Sequence, residues 1–413
     1  MRPVLVSIWT KLSMRHNHYV CHMLILMLIL MLLAPQLPVV GQPYITRQYT
    51  VTSDRDIPYT VAPAFNGRMD TMKLNVWYPM DDNAERRPLV VWVHGGGFSA
   101  GNRAEMNAVC ERWASRGYVA ATISYRLSFY GPWPFDPPFA YDTAEVVRAC
   151  YRGVQDLRSA LSYLSSNAAR YKIDTSRTIL GGVSAGAIIA LHGAFVDDSD
   201  IRPPALSQIA PVTRAFEQFL RPDLGSMNGW QSTNVPLPQI RAVINIFGGL
   251  LDPRSIDGAP FVPTYSYHQK ADPVVACGTA KGLWGLPLDV SANYPKIHGS
   301  CTLTEEFAKR GVDTRVYETW IYNGTEHAIH DEMRVDSLAA VFCVRHIEAV
   351  VSVDETSFVP DESGLHTILD LRGSVCAITT STLSGIELPD GIYTAVSARH
   401  AFLFRIVNGV VIR

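Results

Sequence analysis

Apolar positions along the chain recur with two different periods. Residues 89–93 (LVVWV) form an unbroken apolar run, the pattern of a strand buried on both faces. Residues 71–78 (TMKLNVWY) alternate, and 118–124 (YVAATIS), 178–180, 240–247, 264–267 and 314–322 supply further strands. Between them the spacing lengthens to three and four. Met106, Val109, Trp113 and Ala114 mark a helix over 105–116. Val146, Val147, Cys150, Val154, Leu157, Leu161 and Leu164 mark a longer one over 144–164, a mostly apolar helix follows at 185–195, and a last helix runs over about 332–350. Strands alternating with helices predict an α/β fold, with a mostly parallel central sheet covered by helices on both faces.

The two ends break this pattern. Residues 1–53 hold no Asp or Glu, while Arg2, Lys11 and Arg15 precede a twelve-residue apolar run at 23–34 (MLILMLILMLLA). Pro35, Pro38 and a small-residue exit near Gly41 follow, which together predict a secretory signal peptide over 1–41. The run is shorter than the roughly 20 apolar residues a spanning helix needs. At the other end, 352–364 is acidic and polar with Pro360, like a linker. From 365 to 413 short alternating runs (HTILDLRG, GIYTAV, AFLFRIV, VVIR) predict a small C-terminal β module. The intended catalytic domain is then 42–351.

Composition narrows the classes. Of 413 residues 47% are hydrophobic and 18% charged, enough apolar material for a large core and not the profile of a disordered chain. A formal charge of −2 supplies no general field for nucleic acid, which is excluded as a partner. Export permits disulfides, and Cys110, Cys150, Cys277, Cys301, Cys343 and Cys376 lie outside the signal. Cys277 and Cys301 bracket one irregular stretch and are the first pair expected; the spacings fit no zinc pattern.

Three constellations fall at strand ends. Gly182-Val183-Ser184-Ala185-Gly186 is a G-x-S-x-G between a short strand and a small-residue helix, where a tight turn lifts a serine hydroxyl clear of the backbone. His94-Gly95-Gly96-Gly97-Phe98 follows the 89–93 strand, and the amides of Gly96 and Gly97 with that of Ala185 would form an oxyanion hole. Asp272 and His327, each after a strand, complete the chain order serine, acid, histidine. A serine hydroxyl becomes nucleophilic when a neutral imidazole takes its proton, and a carboxylate fixes the imidazole's tautomer. Asp252 competes for the acid role and His330 for the base; His268 is read as holding the Asp272 loop. This chemistry calls for no metal or cofactor.

HGGGF, GVSAG, Tyr125-Arg126-Leu127, HQKADPVV and GTEH together resemble the α/β-hydrolase carboxylesterases, in particular bacterial feruloyl- and acetylxylan-esterase-like enzymes, with hormone-sensitive-lipase-like esterases nearby. The resemblance spans about 65–350 and implies an α/β-hydrolase fold and a serine esterase acting on small-molecule or polysaccharide-linked esters. It departs at His268-Gln269-Lys270-Ala271-Asp272, where the HGxxD glycine is missing, and in irregular insertions at 129–141 and 278–299. Trp133, Phe135 and Trp284 in those insertions are open to two readings, pocket lining or loop anchors. Residues 368–373 (ILDLRG) and 388–393 (LPDGIY) resemble the C-terminal sorting domain of the type IX secretion system, implying export machinery as a partner. A secreted serine peptidase on the same scaffold, or a non-catalytic binding protein, remain the alternatives; peptide substrates and a fluorophosphonate probe separate them.

Overall fold

In the computed structural model the described residues are 43–347 apart from 81, 130–138, 199, 201, 215, 230–235, 258–260 and 288, together with strand backbones within 366–412. The expected signal peptide, the 352–364 linker, and Trp133 and Phe135 lie outside them.

Eight strands form the central sheet: β1 (Val51–Pro63), β2 (Met69–Pro79), β3 (Arg87–Val93), β4 (Val119–Ile123), β5 (Ile173–Val183), β8 (Ile240–Ile246), β10 (Thr264–Gln269) and β13 (Tyr317–Tyr322), in the order β1-β2-β4-β3-β5-β8-β10-β13. From β4 onward every neighbour is parallel; β1 and β2 add an antiparallel edge. Period-two alternation assigns the faces. Leu89, Val91 and Val93 of β3 enter one core with α2 (Thr143–Ser166), α3 (Ala185–Phe195) and α4 (Ser300–Lys309). Val90 and Trp92 enter the other, with α1 (Asn107–Ala114) and α5 (Glu332–Ile347). A sheet buried on both faces explains why β3 reads as a continuous apolar run.

Several expectations are corrected in detail. The strand expected at 178–180 is eleven residues long, Ile173–Val183. The 105–116 helix opens with a 3₁₀ turn, Arg103–Met106, capped by Asn102 and Glu105 in a reciprocal capping box. The long helix starts where Asp142 accepts the Glu145 N–H at 2.7 Å. Its polar side is not solvated. Arg148, Arg152, Asp156 and Glu145 are buried, with Arg126 of the Tyr-Arg-Leu run on Asp156 and Arg148 donating to the carbonyls of Ala205, Ser207 and Pro222. Those acceptors flank a two-stranded hairpin, β6 (Ile209–Arg214) with β7 (Glu217–Arg221). The 278–299 insertion is partly regular. β11 (Thr279–Lys281) and β12 (Lys296–Gly299) join β9 (Gly249–Leu250) in a three-stranded sheet, and Cys277 is bonded to Cys301 as expected. Cys110, Cys150 and Cys343 are buried free thiols.

The C-terminal residues form their own antiparallel sheet. β14 (His366–Asp370), β15 (Val375–Thr379), β16 (Gly391–Val396), β17 (Ala401–Val407) and β18 (Val410–Ile412) lie in the order β15-β14-β16-β17-β18.

Candidate active site

β5 ends at Val183 and α3 begins at Ala185, leaving Ser184 alone in the turn at φ 55°, ψ −123°. That backbone is strained for a residue with a Cβ. It persists because the strand-to-helix packing is backbone on backbone. A Cβ on Gly182 would lie 2.2 Å from the Gly186 oxygen, and one on Gly186 2.1 Å from the Val93 oxygen. The Ser184 N–H donates to the Ile246 carbonyl at 2.9 Å, tying the turn to β8. The serine is only 8% exposed.

The two downstream loops meet it. His327 Nε2 lies 2.8 Å from Ser184 Oγ, and His327 Nδ1 lies 2.7 Å from Asp272 Oδ2. A carboxylate only accepts, so Nδ1 carries the proton and Nε2 faces the serine hydroxyl as an acceptor. The Asp272 side chain is fully buried, with Oδ1 accepting the N–H groups of Val274 at 2.8 Å and Val275 at 3.1 Å. Phe247 covers the imidazole, ring centroids 4.5 Å apart.

His268 sits behind the acid. Its Nε2–H donates to the Val275 carbonyl at 2.8 Å, 3.6 Å from Asp272 Oδ2, and its Nδ1 accepts from Ser300 Oγ at 2.8 Å. Ser300 in turn accepts from Asn245, whose amide oxygen receives the Gly248 N–H. Burial lowers the His268 pKa and favours the neutral ring. The role expected of it, holding the acid loop, matches this geometry. Trp284 gives the same loop a further tie through Nε1–H to the Asp272 carbonyl at 2.9 Å. The competing residues lie elsewhere. Asp252 is paired with Arg254 at the surface. His330 accepts from the Tyr267 hydroxyl at 2.9 Å while stacked on Tyr322 at 3.7 Å.

The glycine loop passes directly against the turn. A Cβ on Gly95 would lie 3.3 Å from Ser184 Cβ. Gly96, at φ +103°, turns the chain so that its carbonyl accepts from Ser99 and Ala100, and a Cβ there would meet the Ala100 oxygen at 2.1 Å. Neither Gly96 nor Gly97 donates its N–H to a backbone oxygen of the described residues. Ala185 is the first residue of α3, so its N–H also has no intrahelical acceptor. Tyr125 anchors the loop, its hydroxyl reaching the Gly95 carbonyl at 3.2 Å and its ring stacked on His94 at 4.4 Å. A separate cavity of about 180 Å³, lined by Val147, Cys150, Val154, His192, Leu206 and Leu251 among others, lies alongside α3 and includes neither Ser184 nor His327. His192 is eight residues beyond Ser184, roughly 12 Å down the helix axis.

Strand order and the elbow serine are those of the α/β-hydrolase fold, and Ser184, His327 and Asp272 meet at its strand ends. Residues 74–250 match a family model described as BD-FAE. Gut esterase 1 of Caenorhabditis elegans is 32% identical over 120 residues, 29% of this chain and 20% of that protein. Chlorogenic acid esterase of Aspergillus niger is 29% identical over 124 residues, again 29% of this chain and 22% of the relative. Fumonisin B1 esterase of Sphingopyxis macrogoltabida is 30% identical over 118 residues, 29% and 22% of the two chains. The chain thus spans about a fifth of the length of these relatives. Esterase B of Lactobacillus rhamnosis superimposes with a TM-score of 0.43 at 16% identity, covering 72% of this chain and 87% of that one. Over residues 74–250 the chain is similar to the BD-FAE family, and over shorter stretches to proteins named as esterases.

Proposed function

We propose that the protein hydrolyses carboxylic esters through Ser184, His327 and Asp272. The contact of His327 with both Ser184 and the buried Asp272 carries this reading. His327 Nε2 takes the Ser184 proton as Oγ attacks the ester carbonyl carbon. Negative charge forms on the carbonyl oxygen and is met by the amides of Gly96, Gly97 and Ala185. The tetrahedral intermediate collapses; the C–O bond breaks and the imidazolium proton goes to the departing alkoxide, releasing alcohol. Water, deprotonated by the same imidazole, attacks the acyl-enzyme, and Ser184 regains its proton as the acid leaves. Asp272 keeps Nδ1 protonated and balances the imidazolium.

The proposed substrates are short-chain esters or acetyl and feruloyl esters of polysaccharide. Two relatives named chlorogenic acid esterase and fumonisin B1 esterase support an ester as the substrate. Ser184→Ala is expected to lower kcat on p-nitrophenyl acetate by at least about 10⁴-fold. Unchanged hydrolysis by that variant would reject the mechanism, and a panel of methyl ferulate, acetylated xylan and peptide amides ranks the substrates. We also propose export, with 1–41 as the signal and 365–413 as a sorting module. The charge pattern of the first segment and the strand pattern of the last support this. Intact mass of the exported protein tests it: retention of both segments would count against the reading.

A further inference from the structure

The site departs from the HGxxD motif at Gln269, which stands where the motif has glycine. Its side chain is 2% exposed and both ends of its amide are used. Oε1 accepts the Glu326 N–H at 2.8 Å, and Nε2–H donates to the Ala328 carbonyl at 2.9 Å. Glu326 and Ala328 are the two residues flanking His327. One rigid, planar amide therefore grips the peptide groups on either side of the imidazole that contacts Ser184.

The alternation of β10 explains why this residue reaches that loop. His268 points to the α4 face, where it orders the acid loop through Ser300 and Val275. Tyr267 and Gln269 point to the α5 face. The Tyr267 hydroxyl accepts the His330 N–H at 3.1 Å, so residues 326, 328 and 330 are all held from β10 while His327 turns toward Asp272. The loop is shaped to admit the amide. A Cβ on Gly324 would lie 2.0 Å from Gln269 Oε1. The Lys270 and Ala271 N–H groups donate to the Tyr322 and Gly324 carbonyls at 2.8 and 3.0 Å, completing a seam between the acid-bearing and base-bearing strands.

We propose that Gln269 is a positioning residue for the catalytic histidine, with Gly324 as its matched partner. It touches neither substrate nor Ser184 and acts by fixing the backbone on both sides of His327. This rests on the esterase reading above, so its test uses a readout that needs the Ser184–His327 pair but not the identity of the ester. That readout is the second-order rate at which a fluorophosphonate probe labels Ser184 in the full chain.

Two variants carry the test. Gln269→Leu keeps the volume and removes both hydrogen bonds. It is expected to slow labelling by about 10²-fold, the scale of an ångström-sized misplacement of a catalytic group. Where an ester is turned over, kcat falls and KM holds. Gln269→Glu is the sharper probe. A protonated carboxyl reproduces the amide's one donor and one acceptor, whereas a carboxylate cannot donate to Ala328, and burial raises a carboxyl's pKa. Labelling of the wild type is expected to rise with pH to a plateau. In Gln269→Glu it is expected to rise and then fall, giving a bell. A loss of fold alone would scale the curve without changing its shape. Wild-type labelling rates in both variants, or a plateau retained in Gln269→Glu, would overturn the positioning role. Absence of labelling in the wild type would instead overturn the serine-hydrolase reading.

Discussion

A serine hydroxyl at Ser184 is useful only if the imidazole beside it presents a lone pair, and that depends on which carboxylate holds the other nitrogen. Sequence order alone left Asp252 and Asp272 in competition. The structure separates them by burial: Asp272 is fully enclosed on His327, while Asp252 is paired with Arg254 in solvent. Asp272→Asn is expected to lower kcat by about 10⁴-fold, because an amide can present its N–H to Nδ1 and stabilise the wrong tautomer. Asp252→Asn, a surface change, is expected to stay within about twofold. Steady-state hydrolysis of p-nitrophenyl acetate by both variants decides, and the reverse ranking would transfer the acid role to Asp252. Gln269 was legible in the sequence as a departure from a motif but not as a residue with a purpose, since its partners are backbone groups 57 and 59 positions away.

At the scale of elements, the elbow is a packing problem solved by glycine. α3 crosses β3 so closely that the Gly186 position admits no side chain against the Val93 and His94 carbonyls, at 2.1 and 2.4 Å. Gly186→Ala is expected to cost at least about 1–3 kcal/mol and to abolish labelling of Ser184, as overpacking displaces the helix and its first N–H. Gly278→Ala, with open space around its Cβ, is the control and keeps both. Thermal melts with fluorophosphonate labelling read the pair; an active Gly186→Ala would mean the elbow is looser than its contacts. Strands buried on both faces were readable because their apolar runs are unbroken. β1 was not. It is an edge strand, polar over Thr52–Asp56, interrupted by Pro58 and by register shifts, and only tertiary pairing with β2 makes it a strand. The helix α4 was also missed, because it follows an insertion whose two short strands pair with each other and with the distant β9 only in space.

Across the whole molecule, burial makes histidines into pH-sensitive structural parts. His192 donates from Nδ1 to the Ile188 carbonyl and accepts the Leu251 N–H on Nε2, and burial pushes its pKa down to about 4. His268 and His94 are lowered by burial too. A histidine ordinarily titrates near 6.5, so the unfolded chain takes up protons below that pH while the folded chain does not. Stability is therefore full above about pH 6.5 and is lost as pH falls toward 4. The melting temperature is expected to drop between pH 7 and pH 5, and to drop less in His192→Gln, which has no proton to gain there. An equal drop in both would remove His192 from the account.

The chain by itself determined the class of fold and the elbow that carries Ser184, the proposed nucleophile. Hydrophobic period and the small residues around Ser184 are local properties, and each is imposed by backbone geometry that any reader of the chain can apply. It also placed the acid and base in order along the chain and named the Cys277–Cys301 pair. Only the tertiary structure brought Asp272 and His327, and not Asp252 or His330, to Ser184, set the polar side of α2 in the interior, and turned Gln269 toward the histidine loop. The reason is physical: these outcomes depend on burial and on partners distant in sequence, and neither is a function of local spacing.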